Sequence, residues 1–335
     1  MDLGNLVVVS VVLPVYNGAS FISEAINSIL NQTFKDFELL IINDGCTDES
    51  EKVIKDFNDP RIRYFSFKKN RGLVASLNFG LETAQGKYIA RIDADDISAH
   101  NRIEEQVRFL ENFPEYVFLG SSVELIPSGQ MKHPPLIDQE IAIGLVFNNV
   151  FFHSTIMFRS ELVNNHGLRY KDDYLGCEDY QLWTEVIRFG KARNLVIPGM
   201  KYRIHSNQVS KNKPDSLKDR LNQIRESYLI NLGIGWNEKE FTAFNHFCNS
   251  EQMVKNEIYI LINCLSDLNQ KFSKKYAENS GQILEGIFTF LLMKLPQKKF
   301  MMSIVYNTFL NQMGIKNSRM RLKLIKQDVK YLLNK

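Results

Sequence analysis

The sequence predicts an α/β protein, with a mostly parallel sheet flanked by helices and then an all-helical C-terminal region. Two observations predict the first part. Four short β-rich runs, "VVVSVVLPV" (7–15), "FELLIIND" (37–44), "RIRYFSF" (61–67) and "KYIARID" (87–93), alternate with stretches that repeat apolar residues at helical spacing. The runs are also apolar on successive residues, as strands covered on both faces are. A third observation predicts the rest: beyond about residue 215 β-rich runs are scarce and nearly all of the chain has helical periodicity.

Each element has a local reason. Ser20 is placed to cap a helix carrying Phe21, Ala25, Ile29 and Leu30; Asp48 followed by Glu51 resembles a capping box; "LVASLNFGLETA" (73–84) supplies a third helix. Strand, helix, strand in succession requires right-handed crossovers and so parallel pairing. Further strands are expected at 117–126, 150–158 and 194–199, with helices in "AHNRIEEQVRFLENF" and over 178–190. A boundary near Lys213-Pro214 divides the chain into a domain over 1–213 and a helical region over 214–335.

With 44% hydrophobic and 24% charged residues the chain has the balance of a folded protein, which excludes a disordered tail. The four cysteines are scattered without a C-x-x-C pair, arguing against a zinc knuckle or a disulfide framework and for a reducing compartment. "LVVVSVVLPV" is apolar for only about ten residues and follows Asp2 instead of a basic flank, so it reads as a buried strand and not as a signal peptide or a membrane span. Charge is uneven: residues 296–335 hold nine Lys or Arg and one acid, Asp328, while the rest is net acidic. Such asymmetry marks contact with an anionic surface, nucleic acid or phospholipid, or else a solvated helical face.

Ligands of a parallel sheet bind at the carboxyl ends of its strands. That rule selects Tyr16-Asn17, Asp44-Gly45 and Asp93 to Asp96. In "YIARIDADDIS" (88–98) three carboxylates fall within four residues, where mutual repulsion raises the cost of ionising each. A hard divalent cation, which prefers carboxylate oxygen, relieves that cost. Each feature also has a plain structural reading. Asp96 or Ser98 would cap the next helix, Asp44 would cap its own, and Glu178 with Asp179 would be an acidic first turn favoured by the helix dipole.

Taken together, "VVLPVYNGASFISEAINSILNQTFKDFELLIINDGCTD", "NRGLVASLNFGLETAQGKYIARIDADD", "HSTIMFR", "EDYQLW" and "YRIHSNQVS" resemble, in order, the family 2 glycosyltransferases, over roughly residues 8 to 210. The resemblance implies the GT-A fold and a nucleotide-sugar site. Pro14, Tyr16 and Asn17 would line the nucleoside pocket, Asp44 would read the uracil edge, and Arg71 would approach the nucleotide or its diphosphate. Asp93 would touch the ribose side, Asp95 the metal, and Asp96 would support either. His205 would reach the metal or diphosphate from a closing loop. Asp179 would be the base that takes the acceptor's proton, with Glu178 orienting the acceptor, while His153 would stand on the acceptor side or within the architecture. The chain lacks Q-x-x-R-W and any apolar stretch of about twenty residues, so it departs from the processive, membrane-embedded synthases and is expected to transfer one sugar per encounter.

The implied function is a Mn²⁺- or Mg²⁺-dependent inverting transfer of a hexose or N-acetylhexosamine from a UDP-sugar to a hydroxyl of a surface-glycan acceptor, lipid-linked or protein-linked. Two alternatives stand beside it. A sugar-phosphate nucleotidyltransferase would need a glycine-rich basic loop where "PVYNGAS" stands, and a non-catalytic UDP-sugar-binding scaffold would not need Asp179. No nucleic-acid partner is implied. Basic residues between apolar ones in "KNSRMRLKLIKQDVKYLL" suit a helix on an anionic leaflet, a bundle or a dimer face. The expected location is cytoplasmic, peripheral on the inner face of the plasma membrane.

Overall fold

The computed structural model describes residues 7–205, 216–249, 251 and 253–276. Strands β1 (Val9–Val15), β2 (Phe37–Asn43), β3 (Ile62–Ser66) and β4 (Tyr88–Arg91) pair in parallel, with β1 between β2 and β4 and with β3 outside β2. All residues of β1, β2 and β4 are buried. Alternation along β1 explains this. Val9, Val11, Leu13 and Val15 share a core with Ile22, Ala25, Ile26 and Ile29 of helix α1 (Ile22–Leu30). Val12 points the other way, toward α3 (Leu73–Thr83), where a Cβ on Gly80 would lie 2.4 Å from its Cγ1. Helix α2 (Ser50–Lys55) lies between β2 and β3 in the chain.

The remaining elements are β5 (Ile97–Ser98), α4 (Arg102–Asn112), β6 (Tyr116–Ile126), β7 (Gln130–Lys132), α5 (Asp138–Phe147), β8 (Met157–Arg159), α6 (Glu161–Asn164), α7 (Glu178–Val186) and β9 (Lys191–Arg203). Among the described residues the sheet runs β3-β2-β1-β4-β8-β6-β9-β5, with β7 hairpinned on β6. β8 is reversed between β4 and β6, whereas β6 and β9 pair in parallel and β5 is antiparallel to β9.

Four local expectations are corrected. The strand expected at 150–158 is only the short β8, because His153–Thr155 form a 3₁₀ turn; His153 therefore opens a turn and not a strand. The strand expected at 194–199 is the middle of the long β9, interrupted by a register shift near Pro198, which has no N–H for the ladder. Ser20 does not cap α1: the Gly18 carbonyl receives the N–H groups of Phe21 and Ile22. Asp48 and Glu51 form no capping box either, because the Asp48 carboxylate accepts from Ala19 N at 3.0 Å and Ser50 N at 3.0 Å.

The chain divides into two compact units, 1–141 with 149–224, and 142–148 with 225–335. The second is helical where described, from the later turns of α8 (Leu217–Asn231) through α9 (Glu238–Cys248) and α10 (Lys255–Lys275). Within it Arg225 Nε donates to Phe147 O at 3.1 Å and Tyr228 Oη to Ala142 O at 2.9 Å, while a capping box joins Asn237 and Glu240. The expected boundary at Lys213-Pro214 and the basic stretch 296–335 lie outside the described residues. Among the described residues no helix is long and apolar enough to cross a membrane.

Candidate active site

The register sets Val15 beside Asn43 and Val12 beside Arg91, so the carboxyl ends of β1, β2 and β4 are neighbours. Two loops at this rim are stitched together. Thr47 N donates to Asn17 Oδ1 at 2.8 Å, Asn17 N to Cys46 Sγ at 3.2 Å and Gly18 N to Ser50 Oγ at 2.9 Å. Asn17 adopts φ 52°, a left-handed conformation that Asn tolerates better than most residues. Tyr16 beside it is 51% exposed, a free aromatic face at the rim. Pro14 is buried within β1 opposite Ile42.

Asp44 is buried at the end of β2, and its two carboxylate oxygens accept from Arg71 N at 2.8 Å and Gly72 N at 2.9 Å, just before α3. Asp44 thus fixes the start of α3 and not of α2, the helix next in sequence. Gly45 between them has φ 70°, and a Cβ there would lie 2.6 Å from the Lys69 backbone carbon, so the approach requires glycine. The Arg71 guanidinium is exposed and lies 4.5 Å from the Phe67 ring centre.

The acidic turn follows β4. Asp93, Asp95 and Asp96 each bring one carboxylate oxygen within 4.8 Å of the others. A Cβ on Gly18 would lie 3.5 Å from Ala94 Cβ, so the loop after β1 rests against this turn. Asp93 is ion-paired with the buried guanidinium of Arg91 and accepts from Ser154 Oγ at 2.6 Å. Asp95 Oδ2 lies 2.8 Å from His205 Nε2, across 110 residues of sequence. Burial and the charge of Asp93 raise the Asp95 carboxyl, with His205 opposing them. Asp96 Oδ1 accepts from Arg203 N at 2.9 Å, while its buried Oδ2 has no hydrogen-bond partner among the described residues. Burial, then Asp93, pushes Asp96 up to about 8. Neither Asp96 nor Ser98 caps α4, whose N-cap is Asn101.

Asp179 stands in the first turn of α7. Its Oδ2 accepts from Asn149 Nδ2 at 2.6 Å and its Oδ1 from Tyr180 N at 2.6 Å. Burial, then the neighbouring Glu178, pushes its carboxyl up to about 7, within the range of a base working near neutrality. Glu178 Oε2 accepts from Gly176 N at 2.6 Å. His153 Nε2 lies 2.9 Å from Tyr170 Oη, and burial, then Arg91, holds the imidazole well below its usual range and so neutral. The Arg91 charge bears on His153, Tyr170 and Asp179 as well as on Asp93.

Several of these residues are not flagged by sequence motifs. Arg91 carries a signal all the same, a charge inside an apolar strand that has to be paired when buried. Arg102, also buried, donates to Arg91 O at 3.0 Å and to Ser154 O, and burial brings its guanidinium down to about 9. Ser154, Asn149 and Arg203 have no local signature.

The sequence profile described as Glycosyl transferase family 2 matches residues 10–161. An uncharacterized glycosyltransferase of Haemophilus influenzae is 33% identical over 276 residues, covering 76% of this chain and 85% of that one. The chain belongs to glycosyltransferase family 2. This family 2 enzyme is also 30% identical to an Escherichia coli protein, UDP-Glc:alpha-D-GlcNAc-diphosphoundecaprenol beta-1,3-glucosyltransferase WfaP, over 72% of this chain and 93% of that one. Its fold is similar to that of S. aureus TarS 1–349, solved with UDP-GlcNAc, with a TM-score of 0.59 at 16% identity over 79% of this chain and 81% of that one. The enzyme accordingly has the GT-A arrangement, a mixed, mostly parallel sheet flanked by helices, followed by a helical C-terminal region.

Proposed function

We propose that the enzyme moves one hexose or N-acetylhexosamine from a UDP-sugar to a hydroxyl of a lipid-linked surface-glycan acceptor, with inversion and with a divalent cation. The observation that carries this reading is the three-carboxylate cluster at the sheet's rim, whose all-oxygen donors suit Mn²⁺ or Mg²⁺ and whose buried Asp96 Oδ2 has no partner among the described residues. Asp95 and His205 would hold the ion, with Asp93 and Asp96 beside them; when bound, it supplies Lewis-acid stabilisation of the charge that develops on the departing diphosphate. The family relationship to a UDP-Glc-dependent E. coli transferase and the fold shared with TarS support the UDP donor.

Pro14, Tyr16, Asn17 and Asp44 position the nucleoside, and Arg71 meets the diphosphate from its exposed perch. Glu178 and His153 stand on the acceptor side. Asp179 takes the proton of the acceptor hydroxyl as that oxygen bonds to the anomeric carbon; the bond from that carbon to the phosphate oxygen breaks, and UDP leaves with its electron pair. A single displacement inverts the anomeric centre. UDP release from UDP-, GDP- and dTDP-sugars, measured with and without Mn²⁺, tests the assignment. The expected result is release from a UDP-sugar that needs Mn²⁺ and falls about 100-fold or more in Asp179→Asn. Equal turnover by that variant would remove the base.

Residues 1–213 are proposed as the catalytic domain and 214–335 as a helical region that docks the enzyme on the cytoplasmic face of an anionic membrane or joins subunits. Deleting 296–335 should abolish sedimentation with phosphatidylglycerol vesicles at low salt; unchanged sedimentation excludes membrane docking by this segment.

A further inference from the structure

Resting on the assignment of Asp179 as base, we infer that Asn149 is a positioning residue that holds the Asp179 carboxylate as a proton acceptor aimed at the acceptor hydroxyl. Asn149 lies between α5 and the turn at His153–Thr155, 30 residues from Asp179 in sequence. Its amide is fixed at both ends. Phe151 N donates to Asn149 Oδ1 at 3.0 Å, and Nδ2 donates to Asp179 Oδ2 at 2.6 Å. Turning the amide over would set a carbonyl oxygen against the carboxylate and an NH₂ against the Phe151 N–H, losing both bonds. The backbone at Phe151 therefore dictates that an N–H, never an oxygen, faces Asp179.

That orientation has a chemical consequence. A donor aimed at Oδ2 favours the ionised carboxylate and opposes protonation at that oxygen. Tyr180 N does the same at Oδ1. Each oxygen retains acceptor capacity for the incoming hydroxyl. Among the described residues, the charged and titratable groups that face Asp179 include Glu178 on its own helix, Arg91 on β4 and the buried Tyr170 hydroxyl, with neutral His153 hydrogen-bonded to that hydroxyl. Glu178 and burial work against ionisation; Arg91 and Asn149 work for it. Asn149 is an uncharged side chain that orients the carboxylate by a hydrogen bond.

The test follows the Asp179 carboxyl by ¹³C NMR against pH in the full chain, together with the acid limb of kcat for UDP release from UDP-glucose with Mn²⁺. Asn149→Ala should raise the midpoint by about 1–2 units and carry the acid limb with it. Asn149→Asp keeps the size and an acceptor for Phe151 N–H, so it guards against misfolding, and should raise the midpoint further by setting two carboxylates together. In the parent, the Asn149 side-chain amide resonance should titrate with the same midpoint and stop doing so in Asp179→Asn. A merely structural role would lower kcat evenly and leave the limb in place. If Asp179→Asn is inactive while neither Asn149 variant moves the midpoint, the inference alone falls. If Asp179→Asn keeps the parent rate, the base assignment falls and takes the inference with it.

Discussion

Two sets of carboxylates, one at each end of the sheet, are treated in opposite ways. At the amino ends of β1, β2 and β4, Glu38 is 3% exposed and has both oxygens paired: Oε1 accepts from Ser10 Oγ at 2.5 Å and Gln85 N at 2.8 Å, and Oε2 is ion-paired with Arg63. At the carboxyl ends, Asp93, Asp95 and Asp96 crowd one another, and Asp96 Oδ2 is buried without a partner among the described residues. A carboxylate whose two oxygens are both paired locks strands together. Carboxylates that repel one another weaken the fold unless something else occupies the space between them. The carboxylate group is thus a fastening at one edge and the proposed cation ligand at the other.

Neutral substitutions at Glu38 and at Asp95 give the largest expected difference between the two edges. Glu38→Ala strips Ser10 Oγ of its acceptor and leaves Arg63 with only Thr83 O and the Gln85 N–H with only Ser10 Oγ, and should cost about 3 kcal/mol of stability, while the protein that remains folded keeps its rate. Asp95→Asn should do the reverse. Relief of repulsion leaves the melting temperature level or raised, whereas UDP release falls about 100-fold or more and loses its response to Mn²⁺. Thermal melts and turnover measured on both variants decide it; a loss of activity without a loss of stability in Glu38→Ala would erase the distinction between the edges.

The sheet's first half was legible because each strand there is an unbroken apolar run followed by a helix of visible period. β1 to β4 fall within a residue or two of the expected limits. Beyond β4 local sequence pattern carries less of the fold, for a physical reason. β9 is held by its long pairing with β6, through register shifts that interrupt its apolar pattern, and β5 has only two residues, whose pairing with β9 no local pattern can announce. The acidic turn was legible as a density of charge that local structure does not require. Its supports were not. Ser154 reaches Asp93 across 61 residues and Asn149 reaches Asp179 across 30, and serine and asparagine in loops are too common to stand out. Asp44 was singled out by its place at a strand end, but its acceptors' partners, the N–H groups of residues 71 and 72, belong to the backbone and leave no mark on the sequence.

A smaller effect separates the two edges through pH. Folding raises the Asp96 carboxyl from 3.8 to about 8, so between those values the unfolded chain has released a proton that the folded chain retains. Stability then falls as pH rises, because the folded state binds more protons; the contribution is whole below about pH 4, declines through the interval and is gone above about pH 8. In buffer free of divalent cations the parent should lose several degrees of melting temperature between pH 5 and pH 8. Asp96→Asn, uncharged throughout, should lose less. The slope should not vanish, since Asp95 and Asp179 are raised in the same direction. Added Mn²⁺ should restore the parent at pH 8 more than the variant, because the ion takes over the charge that the proton otherwise neutralises. Identical slopes in the two proteins would mean that Asp96 is ionised in its buried site, and that the carboxyl rim is as well compensated as the edge held by Glu38.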